Sequence, residues 1–444
     1  MPDDLLLNPT SCQFMVLVVV VVVLYMLYKR RVAVYLLDFS CYKPPNSNRL
    51  PISMFLENLY LDNQFDPESI AFQTKILEKS GFGSQTCLHH SFHLVPRRKK
   101  LSFTMEEATS IIFPIIKDLL DKTNISPRAI DILICNNSLF CPTPSLTAMV
   151  VNRFRMRSNI KSFNLSGMGC SAGIISVGLV KDLLRTRPNS LALIVSTEML
   201  TLHWYAGKNP SMLLGNCLFR MGGAAILMSS RNRDKSKAKY ELQHLVRINK
   251  AQDNCSYRSV YQDLDTESKP GVTMSKDILH VAAGALKLNI ATLGPLVLPI
   301  SEQLKYIAYT IYRKMGISRK TRHYVPNFKK PFQHFCIHAG GKAVIKAIEQ
   351  NLALGKMDAE PSKMTLHRFG NTSSSSIWYE LSYIEAKGRM KRGDRVWQIA
   401  FGSGFKCNTA VWKCICKGQT DGTTPWRDEI HIYPIEVPET IKIN

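Results

Sequence analysis

The distribution of apolar and polar residues divides the chain into a long uncharged start and a remainder in which short apolar runs alternate with amphipathic stretches. Residues 5–28 carry no charge, and 14–28 are densely apolar. At about 1.5 Å per helical residue, that length crosses a hydrocarbon layer of roughly 30 Å. Asp3 and Asp4 stand where a signal peptide would be basic, and Lys29-Arg30-Arg31 follows where small cleavage residues would be. The reading is a retained anchor over 1–31, and the basic triplet places the rest of the chain on the cytosolic side.

Beyond the anchor, 32–37 begins the globular part and 41–98 reads as turn-rich, irregular and membrane-proximal, closing a segment of 32–100. The spacing then predicts a helix over 105–122, a strand over 129–135, a loop over 136–144 and a helix over 145–154. Strands at 160–165 and 191–197 flank a helix at 174–184, a glycine-rich apolar stretch covers 218–228, and 229–239 reads as a connector. In the second half the pattern gives helices at 275–289 and 301–315 with a loop at 293–299 between them. A strand at 331–338, helices at 342–352 and 377–386, and an antiparallel pair at 395–401 and 405–413 complete it. Alternation of this kind predicts an α/β core with largely parallel strands. It also makes two similar halves plausible, 101–240 and 241–434, followed by a tail at 435–444.

Composition changes this picture little. Hydrophobic residues make up 45% of the chain and charged residues 20%, which excludes a disordered or collagen-like protein. Fifty-seven Lys and Arg against 34 Asp and Glu give a formal +23, which favours anionic partners. The cations are dispersed and no nucleic-acid-reading motif accompanies them, so surface solvation and attraction to a membrane or a phosphorylated substrate explain them better. Twelve cysteines without a regular framework point to a reducing compartment. Cys414-Ile-Cys416 lacks the spacing and second pair of a zinc site, and no metal is expected.

The chemistry concentrates at element ends. Ser166-Gly-Met-Gly-Cys170-Ser-Ala-Gly173 sits between the strand at 160–165 and the helix at 174–184. A helix N-terminus offers free N–H groups and partial positive charge, which favours a thiolate at Cys170. The plain alternative is a small buried core residue. His334-Phe-Cys-Ile-His338-Ala-Gly-Gly341 ends a strand with a histidine beside glycines. The i, i+4 histidines lack the glutamate of a zinc protease, and His338 is the one better placed to face a site. Asn371, within His367-Arg-Phe-Gly-Asn, is either a helix cap or an amide donor aimed into a cavity. Phe401-Gly-Ser-Gly404-Phe405 is either a plain hairpin turn or a place where backbone N–H groups approach a substrate. A Cys, His and Asn set suits acyl transfer through a thioester, in cysteine hydrolases or in carbon–carbon bond-forming condensing enzymes, and the residues by themselves leave both open.

Together, Asn164-Leu-Ser-Gly-Met-Gly-Cys-Ser-Ala-Gly173, the His334 to Gly341 stretch, Thr365-Leu-His-Arg-Phe-Gly-Asn-Thr-Ser-Ser-Ser-Ser376 and Gly388-Arg-Met-Lys-Arg-Gly-Asp-Arg-Val-Trp-Gln-Ile-Ala-Phe-Gly-Ser-Gly-Phe405 resemble the plant 3-ketoacyl-CoA synthases, from about residue 32 to 434. The resemblance implies a thiolase-like fold of two pseudo-equivalent α/β halves with the site between them. It implies condensation of a long-chain acyl-CoA with malonyl-CoA, without a further cofactor, at the endoplasmic reticulum membrane. The other elongase-complex enzymes and, by analogy, a second copy in a homodimer would be the partners. Carried over by motif, Cys170 is the acylated nucleophile, His338 and Asn371 complete a triad, and His334 and His367 support the site. The backbone N–H groups of Cys170 and Gly404 would hold the first oxyanion. The chain departs from the family's pattern at Asn249, where a histidine is usual, at Leu88-His-His90, at Leu202-His203, and in showing one N-terminal span instead of two. These departures motivate an alternative: a catalytically weak or inactive subunit of an elongase complex.

Overall fold

In the computed structural model, which describes residues 16–21, 32–315, 324–416 and 424–441, eleven strands and twelve labelled helices follow one another along the chain. The first half contains β1 (Tyr35–Cys41), α1 (Ile52–Leu61), α2 (Pro67–Glu78), α3 (Leu101–Thr123), β2 (Ile132–Asn136), α4 (Leu146–Phe154), β3 (Lys161–Leu165), α5 (Ala172–Thr186), β4 (Leu191–Thr197), α6 (Pro210–Leu218) and β5 (Gly223–Ser229). The second contains β6 (Tyr240–Asn249), α7 (Asn254–Arg258), β7 (Val260–Leu264), β8 (Pro270–Met274), α8 (Ile278–Val297), α9 (Ile300–Lys314), β9 (His334–Ile337), α10 (Lys342–Asn351), α11 (Lys356–Phe369), α12 (Ser376–Ala386), β10 (Arg395–Gly402) and β11 (Lys406–Cys414). Of the expected anchor, only residues 16–21 are described, as helical and exposed; the rest lies outside the described residues.

Local chemistry explains several boundaries. Asp66 caps α2 by accepting from the Ser69 N–H, with Pro67 at the first helical position, and Ser145 caps α4 through the Ala148 N–H. Helix α3 buries Ala108, Ile111, Ile112, Ile115, Ile116 and Leu119 at helical spacing and stops at Asn124 in the left-handed region.

Nine strands form one sheet in the order β3-β2-β4-β5-β1-β6-β11-β10-β9, and β7 and β8 form a separate hairpin. Only β2 with β3, β2 with β4, and β9 with β10 pair in parallel; the other pairings are antiparallel. The expectation of largely parallel strands is therefore corrected: a mainly apolar run such as β4 shows burial on both faces but carries no information on direction. The sheet wraps around α5 and α12. Ile174 and Val177 of α5, Trp378 and Leu381 of α12, Ile226 of β5 and Ala410 of β11 share one buried cluster inside that curve. Helices α3 and α4 cover the outer face of the first half, and α8 and α10 cover that of the second.

Three further corrections concern helices. Residues 41–98 are not irregular: α1 and α2 bury Phe55, Leu59, Ile70 and Leu77 against Trp204 and Leu213. Helix α8 runs through Pro295 to Val297, so the expected loop at 293–299 shrinks to Leu298 and Pro299. Helix α11 fell in a stretch whose buried face contains Glu360, Ser362 and Thr365, and an amphipathic pattern does not reveal it. The described part of the tail docks on the body, where the Ile441 N–H donates to the Glu78 carbonyl at 2.8 Å.

Candidate active site

Cys170 lies in a single helical turn, Gly169–Ser171, that leads directly into α5. Gly169 has φ +66°, and a Cβ on it would fall 2.4 Å from the Ser403 backbone nitrogen; a Cβ on Gly402 would fall 2.5 Å from Ser171 Oγ. The cysteine turn and the β10–β11 turn thus interlock at a separation only glycine allows. That contact carries Gly404, with φ +101°, to the wall of the same cavity as Cys170.

The cavity has a volume of about 400 Å³ and is mainly apolar. Cys170, His338, Asn371 and Gly404 all line it, although Cys170 belongs to the first half of the chain and the others to the second. The β7–β8 hairpin and the start of α8 supply apolar wall through Val260, Val272, Met274 and Ile278.

His338 follows the last residue of β9 and is buried. Its Nδ1 lies 2.7 Å from Ser376 Oγ, at the first residue of α12, so Nδ1 is occupied by that hydroxyl. Burial holds the imidazole down to about 4, and it is neutral near pH 7. Asn371 is held from both ends: its Oδ1 accepts from the Ser373 N–H at 2.9 Å and its Nδ2 donates to the Gly340 carbonyl at 3.2 Å. An amide nitrogen carries two hydrogens, so a second remains for the cavity.

Three residues that sequence reasoning passed over belong to the site. Ser373, held at φ +55°, places Oγ 3.5 Å from Cys170 Sγ and 3.4 Å from Glu198 Oε2, and its single hydrogen serves one of them at a time. Glu198 is buried, lines the cavity, and accepts the backbone N–H groups of Ser138 and Leu139 at 3.0 to 3.1 Å. Burial pushes its carboxyl up to about 7, against those hydrogen bonds. Lys406 is the one cation among the described residues that line the cavity, and its Nζ donates to the Ser403 carbonyl at 2.6 Å. The signal for Glu198 was an acid directly after the fully buried β4; for Ser373 it was the serine run 373–376, which reads as a helix start.

Burial, followed by the nearby Glu198 carboxylate, pushes the Cys170 thiol up to about 12, while the Ser373 hydroxyl opposes the shift. Burial thus opposes the lowering expected from the N-terminus of α5.

Two expected site residues lie elsewhere. His334, at the opposite end of β9, pairs with Asp394 in the turn before β10, Nε2 to Oδ2 at 2.9 Å. His367, on α11, packs against Gly83, where a Cβ would fall 2.3 Å from its ring, and its Nδ1 lies 3.5 Å from the Tyr433 hydroxyl. Neither lines the cavity. Asn249 is exposed and accepts the Ala251 N–H at 3.0 Å, so the departure at this position closes a local turn outside the cavity. His89, His90 and Glu106 bring ligand atoms within 4.8 Å of one another, and none of them lines the cavity.

Residues 25–315 match a family described as FAE1/type III polyketide synthase-like protein, and residues 329–414 match the C-terminal domain of 3-oxoacyl-[acyl-carrier-protein] synthase III. Among solved structures, 1,3,6,8-tetrahydroxynaphthalene synthase from Streptomyces coelicolor A3(2) covers 86% of this chain and 99% of its own, with TM-score 0.63 and 19% identity. PKS-I from the brown alga Ectocarpus siliculosus covers 86% and 98%, with TM-score 0.66 and 14% identity. At those identities the likeness shows the mixed α/β, thiolase-like fold. Arabidopsis thaliana relatives are much nearer in sequence. The probable 3-ketoacyl-CoA synthase 21 is 58% identical over 425 residues, 95% of this chain and 92% of its own. The 3-ketoacyl-CoA synthase 7 is 54% identical over 411 residues, 93% of this chain and 89% of its own. The chain belongs to the 3-ketoacyl-CoA synthases, the acyltransferase-type condensing enzymes of very-long-chain fatty acid elongation.

Proposed function

We propose that this protein condenses a long-chain acyl-CoA with malonyl-CoA, releasing CO2 and CoA, and that Cys170, His338 and Asn371 perform the chemistry. The single observation that carries the reading is the convergence of those three side chains on one mainly apolar cavity. In the first half-reaction the Cys170 sulfur attacks the acyl-CoA carbonyl while its proton passes to the neutral His338 Nε2. The backbone N–H groups of Cys170 and Gly404 hold the oxyanion. The C–S bond to CoA breaks, CoA leaves carrying the proton, and the acyl group remains as a thioester on Cys170. In the second, malonyl-CoA loses CO2, and N–H donors from His338 Nε2 and Asn371 Nδ2 stabilise the enolate oxygen. The enolate carbon attacks the thioester, the new C–C bond forms, and the Cys170 sulfur departs and regains a proton.

The uncharged stretch at 5–28 supports anchoring in the endoplasmic reticulum membrane with the catalytic part in the cytosol, where the other elongase-complex enzymes would act on the product; a homodimer is the expected assembly by analogy. The position of Asn249 outside the cavity removes one motive for an inactive subunit. The test is to reconstitute the full chain in vesicles with palmitoyl-CoA and isotopically labelled malonyl-CoA. Appearance of labelled 3-ketoacyl-CoA by mass spectrometry supports the reading. Release of free fatty acid without a condensation product would overturn it.

A further inference from the structure

The outward face of α8 and α9 is a large apolar surface that the chemistry above does not use. Helix α8 is long and apolar enough to cross a membrane, yet 39% of its most apolar window is buried. Val281, Ala285, Leu286 and Leu293 lie in the core with residues of β6 and β11, so α8 rests on the body instead of spanning. Leu279, Leu288 and Leu296 of the same helix are exposed. Helix α9 continues the surface: Ile300, Leu304, Ile307 and Ile311 recur at helical spacing and are 75%, 60%, 52% and 52% exposed. The one buried residue of α9 is Glu302, on the opposite side, where it accepts from Lys330 Nζ at 2.7 Å and from the Asn327 N–H at 3.1 Å. A contiguous apolar face of this kind on a folded body marks a contact site.

Charge identifies the partner. Between residues 278 and 315 Glu302 is the single carboxylate, whereas Lys287, Lys305, Arg313 and Lys314 are cations. Helical spacing sets Lys314 beside the Ile300, Leu304, Ile307 and Ile311 stripe, whereas Lys305 stands on the side of Glu302 and pairs with it at 3.6 Å. An exposed apolar stripe bordered by a lysine, on a segment whose charges are nearly all lysine and arginine, is the arrangement that lies in a lipid–water interface, side chains in the acyl boundary and ammonium groups at the headgroups. A second copy of this chain placed face to face would oppose those cations with their own equivalents. We propose that the outward face of α8 and α9 is a docking surface for an anionic phospholipid bilayer, separate from any N-terminal anchor.

The placement has a consequence that rests on the condensing activity proposed above. Ile278 and Ala282 of α8 line the Cys170 cavity. A narrower cleft between α8 and α10 shares Ala282, Val344 and Phe401 with that cavity and includes Leu279 on the outward side. A bilayer on this face therefore sets hydrocarbon beside a route to Cys170, and a long acyl chain enters without crossing water.

The test uses the full chain in vesicles of phosphatidylcholine containing phosphatidylserine. All five native tryptophans are buried, so the exposed I307W variant adds one reporting side chain. The expected result is blue-shifted emission from that side chain, quenched by phospholipid brominated near the headgroup end of the acyl chains. The quenching should weaken when Lys314→Glu is added. Quenching no greater than in the parent chain overturns the proposal. A blue shift that needs no lipid and grows with protein concentration also overturns it, in favour of a second copy. The same samples are assayed for 3-ketoacyl-CoA: product without quenching sinks the docking surface alone, and quenching without product sinks the condensing activity alone.

Discussion

His338 Nδ1 and Ser376 Oγ lie 2.7 Å apart, both buried, so the partner that orients this cavity-lining imidazole is a hydroxyl instead of a carboxylate or a carbonyl. A hydroxyl both donates and accepts, so it supports either tautomer of the ring. The proposed cycle needs both, since Nε2 takes a proton during acylation and presents an N–H during decarboxylation. Ser376→Ala should slow both half-reactions by roughly 10- to 100-fold, in line with about 1–3 kcal/mol for a buried unpaired group. The substrate KM values should change little, and Ser376→Thr should recover part of the rate. A steady-state comparison of the three forms checks this.

Cys170→Ala should form no acyl-enzyme. Intact-protein mass spectrometry after incubation with acyl-CoA should show a one-acyl mass increase in the parent chain and none in the variant. A persistent adduct at full occupancy in the variant would move the nucleophile elsewhere.

Asn371→Ala should separate the two half-reactions. Acylation of Cys170 should continue, because the proposed cycle assigns its oxyanion to backbone N–H groups. Decarboxylation of malonyl-CoA should slow by about 10²- to 10³-fold, the usual consequence of losing one oxyanion donor. Because Asn371 also ties Gly340 to Ser373, the melting temperature should fall as well, so rates are to be normalised to folded protein. Equal loss in both half-reactions would contradict the role given to the amide.

His334→Ala and His367→Ala should act on stability. The first removes the partner of Asp394 and the second leaves a hole against Gly83 and Tyr433. Each should lower the melting temperature by a few degrees, as substitutions costing about 1 kcal/mol or so do. Turnover per folded molecule should stay within about twofold of the parent, a change under 1 kcal/mol. A large fall in turnover with an unchanged melting temperature would return them to the chemistry.

Glu198 should make stability depend on pH. Its carboxyl binds a proton more tightly folded, near 7, than unfolded, near the ordinary 4.5. The folded state is thus favoured most below the unfolded value, and that advantage is lost as pH rises from 4.5 through 7. Glu198→Gln removes this dependence, so the parent chain should lose about 3 kcal/mol relative to the variant across that window. Thermal unfolding of both proteins at several pH values measures the difference; parallel curves would show that Glu198 does not titrate there.

The amino-acid sequence by itself located Cys170, His338, Asn371 and Gly404, because each stands beside glycine where a strand or helix ends, and such punctuation is a local property of the chain. It also marked the strands β3, β4, β10 and β11 and the helices α3 to α5, whose periodicity needs no knowledge of neighbours. Only the tertiary structure decided which residues share a cavity. His334 and His338 are four apart on one segment, yet Asp394 holds the first and Ser376 the second at opposite ends of β9. Glu198 and Ser373 are 175 positions apart and meet at Cys170 because the sheet wraps α5 and α12 together. Strand direction and the surroundings of the Cys170 sulfur were likewise decided in three dimensions. Pairing depends on which edges the fold brings side by side, and a pKa depends on how much water the packed chain leaves around the sulfur.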